Sequence, residues 1–160
     1  MRGHRRDAER GIRLTTVDDT RDFGRRLASI LRPGDLLLLA GPLGAGKTAL
    51  AQGIGAGLEV RGAVTSPTFV IARVHAGDLP LVHADAYRLG DRPDPRAEID
   101  DLDLDASAED AVTVVEWGEG LVEHLSDAYL LVRIDRLDDD TRVVDLVPHG
   151  GDWTERLERL

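Results

Sequence analysis

The sequence predicts an α/β domain, a three-layer sandwich in which a mixed sheet is flanked by helices and a β-hairpin lies near the C-terminus. Asp35–Ala40 is a continuous apolar run between turn residues, which is typical of a strand buried on both faces. A glycine-rich loop and an amphipathic helix follow that run directly. Further along, two stretches alternate apolar and polar residues about an Asp138–Asp140 turn, as the strands of a hairpin do.

The remaining elements follow from periodicity and turn signals. Residues 1–11 are charged and lack an apolar segment, so we expect a disordered tail before a single domain over residues 12–160. The first half predicts a strand at Ile12–Thr16, a helix capped by Asp18 or Asp19 that runs to about Leu31, the buried strand, and a helix from Lys47 to about Gly57. The second half predicts strands at Phe69–Val74, Leu79–Ala84, Val112–Val115, Tyr129–Arg136 and Arg142–Val147, and a terminal helix over Asp152–Leu160.

Composition excludes several classes of function. The 160 residues include 20 basic and 30 acidic side chains, a net charge of −10, whereas an unaided nucleic-acid or membrane-surface binder is usually basic. The absence of cysteine excludes disulfides, thiol nucleophiles and cysteine zinc sites. No stretch resembles a signal peptide or is apolar for long enough to span a membrane, so we expect a cytoplasmic protein with no membrane contact.

Residues 91–110 form an acidic segment. They contain nine acidic residues and two arginines, a local charge of −7. Composition alone favours a solvated loop, with a helix at about Arg96–Leu102. The alternative is a segment that faces a partner or closes over a site.

The segment between the buried strand and the next helix matches the phosphate-loop pattern G-x-x-x-x-G-K-[ST]. In such a loop, inward-pointing N–H groups and the N-terminus of the following helix bind phosphates. The lysine reaches the β- and γ-phosphates, and the hydroxyl ligates Mg²⁺. We therefore predict a P-loop NTPase-like fold that binds ATP or ADP with Mg²⁺ through Gly41, Pro42, Leu43, Gly44, Ala45, Gly46, Lys47 and Thr48.

The residues that are absent narrow the choice among phosphate-loop proteins. Guanine selection through N-K-x-D needs an asparagine and a lysine, but the chain has no asparagine and its only lysine is Lys47. The only glutamine, Gln52, lies just after the loop, so a transporter-type L-S-G-G-Q signature is also absent. A small ATPase, a small-metabolite kinase with an arginine-rich lid and a non-hydrolysing nucleotide sensor remain. The arginines available for such a lid are Arg88, Arg92 and Arg96.

Two carboxylates are candidates for binding Mg²⁺ or for orienting the attacking water. Asp85 and Glu116 each end an apolar run that predicts a strand, where metal-binding carboxylates of phosphate-loop proteins stand. Either side chain can ligate the metal or orient the attacking water. The hydroxyls of Thr65–Thr68 are candidates for sensing the γ-phosphate. For His83, two residues before Asp85, packing and chemistry are both open.

Four motifs in order resemble the bacterial TsaE (YjeE) family. They are G-x-L-G-A-G-K-T, S-P-T-F, H-x-D-x-Y-R and E-W, and the resemblance covers about residues 12–150. It implies a small ATPase required for threonylcarbamoyladenosine (t6A) modification of tRNA. The resemblance implies that TsaB and TsaD are its partners, that ATP binding and hydrolysis reset their complex, and that hydrolysis by the chain alone is weak. Contact with tRNA is then only indirect.

The resemblance also implies roles for individual residues. Lys47 and Thr48 take the phosphate-loop roles, Asp85 that of the H-x-D aspartate, and Glu116 that of the E-W glutamate. The implied catalytic residues are therefore Lys47, Asp85 and Glu116, and the metal-side residues are Thr48, Asp85 and Glu116. Arg142, just after the hairpin turn, loosely matches an arginine near the nucleotide base.

Two positions depart from the family pattern. Pro42 has no N–H to offer a phosphate, and Ala49, the next residue of the nucleotide-binding set after Thr48, lacks a hydroxyl that is often found there. Both departures put the rate of hydrolysis in question, and neither removes an atom that is essential for holding ATP and Mg²⁺.

Overall fold

The computed structural model describes residues 11–41, 46–61, 64, 72–85, 110–116 and 128–160, and for residues 72, 73 and 85 it describes the backbone alone. Seven strands and three helices occur within these residues. They are β1 (Ile12–Leu14), α1 (Val17–Ala28), β2 (Leu36–Ala40), α2 (Lys47–Gly57), β3 (Ala72–His75), β4 (Leu81–Asp85), β5 (Val112–Glu116), β6 (Tyr129–Arg136), β7 (Arg142–His149) and α3 (Trp153–Leu157).

Some expectations concern residues outside the described ranges. They are those for the tail before Gly11, for Pro42–Ala45, for Thr65–Thr68, for the start of the predicted strand at residues 69–71, for the three lid arginines, for the acidic segment up to residue 109 with its helix, and for Trp117, the tryptophan of the E-W motif.

The seven strands form one mixed sheet in the order β1-β7-β6-β2-β5-β4-β3. The neighbours β6, β2, β5 and β4 run parallel, whereas β7 and β3 are antiparallel to the strands beside them. The predicted α/β class with a mixed sheet and a hairpin of β6 and β7 is therefore confirmed. Because four central strands are parallel, their carboxyl ends meet at one edge of the sheet.

The central strand β2 is buried on both faces, as its apolar run predicts. Leu37 and Leu39 join the core cluster that also contains residues of all three helices. Leu36 and Leu38 join a second cluster on the opposite face of the sheet. Side chains alternate between the two faces along a strand, which explains this division. Because both faces are buried, no polar residue interrupts the run.

Helix α1 begins and ends at positions that differ from the prediction. Thr16, not Asp18 or Asp19, is the N-cap, because its hydroxyl accepts the Asp19 N–H while the Asp19 carboxylate accepts the Thr16 N–H, which forms a capping box. The Thr15 hydroxyl also donates to Asp19 and helps to hold the pKa of that carboxyl below its ordinary value. The helix ends at Ala28, since residues 29–31 form tighter i→i−3 bonds before Pro33.

The other bounds agree with the sequence to within a few residues. The strand β6 has the predicted limits, β7 continues to His149, and β3 and β4 each end one residue later than predicted. The first strand ends at Leu14 because the N–H groups of Thr15 and Thr16 donate to the Asp19 carboxylate instead of to a neighbouring strand. The terminal helix is shorter than the predicted span, because Glu158–Leu160 form single i→i−3 bonds.

Helices α1 and α2 cross in close contact at two glycines. A Cβ atom on Gly53 would lie 2.1 Å from the backbone oxygen of Arg21, and one on Gly24 would lie 2.6 Å from that of Leu50. Any larger residue would force the helix backbones apart. This crossing fixes the position of α2, which begins with Lys47.

Arg156 in α3 anchors the C-terminus through a buried ion pair. Its guanidinium donates to both carboxylate oxygens of Asp35, at 2.7 and 2.8 Å, and to the backbone oxygen of Ile30 at 2.8 Å. It also donates to Asp152 and lies 3.8 Å from the centre of the Trp153 ring. The hydrogen bonds to Asp35 raise the pKa of Arg156 further above its ordinary value. The apolar pattern of α3 predicts Trp153 as a core residue, but it does not reveal this ion pair.

We expect Gly53→Ala to lower the free energy of unfolding by about 1–3 kcal/mol, because the added methyl group meets backbone atoms of α1. Ala56→Gly, on the exposed side of α2, is the control and should cost about 1 kcal/mol through helix propensity alone. Helix propensity by itself would predict that Gly53→Ala raises the free energy of unfolding and that Ala56→Gly lowers it. Urea denaturation measures both, and a more stable Gly53→Ala protein would contradict the observed crossing.

We expect Arg156→Met to lower the free energy of unfolding by about 3–5 kcal/mol, because Asp35 is then left buried without its counter-charge. The exposed Arg159→Met is the matched control, with an expected change within about 0.5 kcal/mol. Adding Asp35→Asn to Arg156→Met should recover part of the loss. Equal stability of the two single variants in thermal and urea unfolding would show that the ion pair is not needed.

Candidate functional site

The two ends of the predicted phosphate loop lie at the carboxyl edge of the sheet. Strand β2 ends at Ala40, Gly41 follows it, and Gly46 precedes the first residue of α2. A Cβ on Gly41 would lie 2.2 Å from the backbone oxygen of Ile134 in β6, so only glycine fits there. Gly46 has a φ of 109°, in the region that favours glycine. A strand therefore precedes the motif and a helix begins at its lysine, as the motif requires.

Lys47 is the first residue of α2 and is buried, with 4% of its surface exposed. Its Nζ donates a hydrogen bond of 2.7 Å to the backbone oxygen of Gly41. The side chain thus reaches back from the start of the helix to the first residue of the loop. A buried ammonium group at a helix N-terminus produces a positive potential, which suits an anion.

Thr48 and Ala49 continue the first turn of α2. The side chain of Thr48 is partly exposed, whereas Ala49 is buried. A hydroxyl in the first turn is one of the oxygen ligands that Mg²⁺ accepts beside phosphate oxygens and water. Thr48 is therefore placed where a metal-side hydroxyl is useful, and its role stays a prediction.

The two candidate carboxylate residues end neighbouring parallel strands. Asp85 and Glu116 are Cα partners at the ends of β4 and β5, and Glu116 also pairs with Leu39, two residues before Gly41. Glu116 is buried, with 4% exposed. It lies on the same sheet face as Val114, which packs in the cluster with α2. Residue Asp85 is thus at the same sheet edge, and its side chain is outside the described part of the structure.

His83 contacts Glu116 directly. The His83 Nε2 and the Glu116 Oε2 are 2.5 Å apart, and the imidazole is fully buried. The two residues belong to adjacent strands, and the contact runs diagonally, since the Cα partner of His83 is Val114. The sequence left packing and chemistry both open for His83, because the pairing of β4 with β5 cannot be read from the separate motifs.

Arg142 lies beside the end of the loop. Its Nε is 3.4 Å from the position that a Cβ on Gly46 would occupy. Its Nη1 donates a hydrogen bond of 2.5 Å to the backbone oxygen of Asp140. The hairpin turn thus presents a partly exposed guanidinium next to the start of α2. Arg142 is brought to the predicted site, and a contact with the nucleotide stays a prediction.

The described residues can therefore hold an anion and offer oxygen ligands near it. Lys47, Arg142 and the start of α2 provide the positive side, and Glu116 provides a carboxylate at the same edge of the sheet. No group of three metal-ligating side chains occurs among the residues that the structure describes. Within the same residues no helix is long and apolar enough to cross a membrane.

Comparisons with known proteins identify the family. A family model described as threonylcarbamoyl adenosine biosynthesis protein TsaE matches residues 14–144. The chain is 63% identical over 140 residues to the tRNA threonylcarbamoyladenosine biosynthesis protein TsaE of Streptomyces coelicolor, which covers 83% of this chain and 93% of that protein. It is 35% identical over 150 residues to the TsaE protein of Bacillus subtilis, with 92% and 91% covered. The crystal structure of YdiB from Bacillus subtilis superposes with a TM-score of 0.77 at 30% identity, covering 93% of this chain and 91% of that one. The resemblance drawn from the four motifs is therefore correct, and the chain belongs to the TsaE family of tRNA threonylcarbamoyladenosine biosynthesis proteins.

Proposed function

We propose that the protein is a small Mg²⁺-dependent ATPase whose nucleotide cycle resets the TsaB–TsaD complex during t6A synthesis. The observation that carries the proposal is the buried Lys47, held at the start of α2 against Gly41, with the Glu116 carboxylate at the neighbouring strand end. Membership of a t6A biosynthesis family supplies the pathway. The lack of asparagine favours ATP over GTP, as the sequence predicts.

In the proposed reaction, Lys47 binds the β- and γ-phosphate oxygens of ATP. A water molecule attacks the γ-phosphorus, the bond from that phosphorus to the β–γ bridging oxygen breaks, and ADP leaves with that oxygen. Glu116 orients the water and accepts its proton. Arg142 and the start of α2 stabilise the negative charge of the bound phosphates.

The residues present fit Mg²⁺ by the chemistry of their donors. Thr48 supplies a hydroxyl, and Glu116 and Asp85 supply carboxylates at the same edge of the sheet; all three are hard oxygen ligands. The ion, when bound, neutralises charge on the phosphate oxygens. Whether Asp85 or Glu116 would ligate it directly is the question that the Asp85→Asn and Glu116→Gln variants address.

The charge of the chain supports action on proteins and only indirect contact with tRNA. A net charge of −10 repels a phosphate backbone unless a partner supplies basic surface. We therefore propose the TsaB–TsaD complex as the direct partner and the cytoplasm as the place of action.

We expect Lys47→Ala to weaken ADP binding at least about tenfold, because a charged contact with phosphate contributes about 1.5–3 kcal/mol. Arg159→Ala removes an exposed positive charge just beyond the end of α3 and should leave the affinity unchanged. Titration calorimetry with ADP and Mg²⁺ measures both. Unchanged affinity in Lys47→Ala would refute the assignment of the phosphate loop.

We expect ATP hydrolysis to be slow for the chain alone and faster with TsaB and TsaD, and to fall about 10²–10⁴-fold in Glu116→Ala, as the loss of a general base predicts. ADP binding should persist in this variant, because Lys47 is intact. The assay is phosphate release with and without the two partners. Phosphorylation of a small metabolite without partners would instead indicate a kinase, and tight ATP binding with no hydrolysis, even with partners present, would indicate a nucleotide sensor.

A further inference from the structure

We infer that His83 is a positioning residue, which orients the Glu116 carboxylate for the hydrolytic step. This inference rests on the proposed ATPase function and deepens it. The observation that carries it is the 2.5 Å contact between the His83 Nε2 and the Glu116 Oε2, made by two buried side chains on adjacent strands.

The direction of the hydrogen bond follows from the partners. An ionised carboxylate can only accept, so the proton between the two side chains is carried by Nε2 of His83. The other ring nitrogen, Nδ1, is buried and has no hydrogen-bond partner in the described part of the structure. The Nε2 atom therefore faces the acceptor, and the geometry places the shared proton on that side of the ring. The imidazole therefore has one hydrogen bond to give, and it gives it to Glu116.

The surroundings of His83 are those of a core position, where a polar ring needs a reason. On the same sheet face, β4 and β5 carry Leu81, Val112 and Val114, which are all fully buried. A leucine or valine would fill such a place without the desolvation cost of an imidazole. The polar ring is useful here because its Nε2 contacts Glu116, the one carboxylate of β5.

The two side chains of the pair differ in their exposure to solvent. The His83 side chain has 0% of its surface exposed, whereas the Glu116 side chain retains 6%. His83 therefore lies behind Glu116, away from solvent. Glu116 makes no other hydrogen bond within the described residues. One carboxylate oxygen is thus held by His83, and the second has no hydrogen-bond partner among the described residues and is available to water or a metal ion.

Holding the carboxylate in this way reduces the freedom of a side chain with three rotatable bonds. A base that is already oriented does not need to be ordered during the reaction, which favours the step that it assists. Partners of this kind, which hold a functional group from behind, typically change activity or metal affinity about 10–100-fold when they are removed. His83 would therefore affect the rate of hydrolysis more than the affinity for nucleotide.

The test compares His83→Asn with His83→Gln in the full chain, with TsaB and TsaD present. Glutamine can present an amide N–H near the position of Nε2, whereas the asparagine amide is one bond too short to reach Glu116. We expect His83→Asn to lower kcat for ATP about 10–100-fold, with the KM and the Kd for ADP within about twofold of wild type. His83→Gln should recover kcat to within about threefold of the wild-type value. Val82→Ala, a buried residue of β4 in the opposite cluster, is the control for general destabilisation and should leave kcat unchanged.

A second readout does not depend on hydrolysis. In NMR spectra of protein with ¹⁵N-labelled histidine, the wild type should show a downfield Nε2–H proton signal from His83 that disappears in Glu116→Ala. A kcat for His83→Asn within twofold of wild type, or equal losses in His83→Asn and His83→Gln, would overturn the positioning role. Absence of the downfield signal in the wild type would overturn the hydrogen bond itself. A wild-type protein that hydrolyses no ATP, even with its partners, would refute the proposed function, and the NMR signal would then show separately whether the pair forms.

Discussion

Burial of β2 on both faces, between two parallel neighbours, is the constraint on which the rest of the structure depends. Four consecutive leucines leave this strand no polar edge, so it must lie in the middle of the sheet with core on each side. Its parallel pairing with β5 and β6 brings Gly41 and Glu116 to the same edge. The chain then turns at Gly41 against the backbone of Ile134, where no side chain fits, and begins the helix that carries Lys47.

Helices α1 and α2 and the C-terminal helix pack around the two ends of β2. Gly53 and Gly24 allow α1 and α2 to touch through their backbones, so no side chain separates the two helices where they cross. At the other end of β2, Asp35 accepts two hydrogen bonds from the guanidinium of Arg156. A buried ion pair is a modest source of stability compared with apolar packing of the same volume. It joins the last helix to the residue directly before the central strand, and so ties the C-terminus to one position in the fold.

Much of the fold was readable because its signals are local. The run of leucines, the glycine-rich loop, the alternation about the Asp138–Asp140 turn and the order of the four motifs each lie within a few consecutive residues. They predicted the α/β class, the hairpin and the family correctly. The errors also have local causes. Thr16 replaced the predicted aspartate caps because a hydroxyl and a carboxylate three residues apart can satisfy each other's backbone N–H groups, and the helix ended early because its last turn tightened before Pro33.

The sequence by itself determined the elements, the family and the chemistry available at the predicted site, since residue types, periodicity and motif spacing are properties of the chain. Only the tertiary structure decided which of those residues meet. The diagonal contact of His83 with Glu116 depends on β4 lying beside β5, although their motifs are separated by more than 25 intervening residues. The approach of Arg142 to Gly46 depends on how the hairpin packs beside β2. The ion pair of Arg156 with Asp35 joins residues that are 121 positions apart in the chain. The physical reason is the same in each case: strand order and helix packing are settled by burial of the whole apolar surface at once, and no local pattern records the outcome.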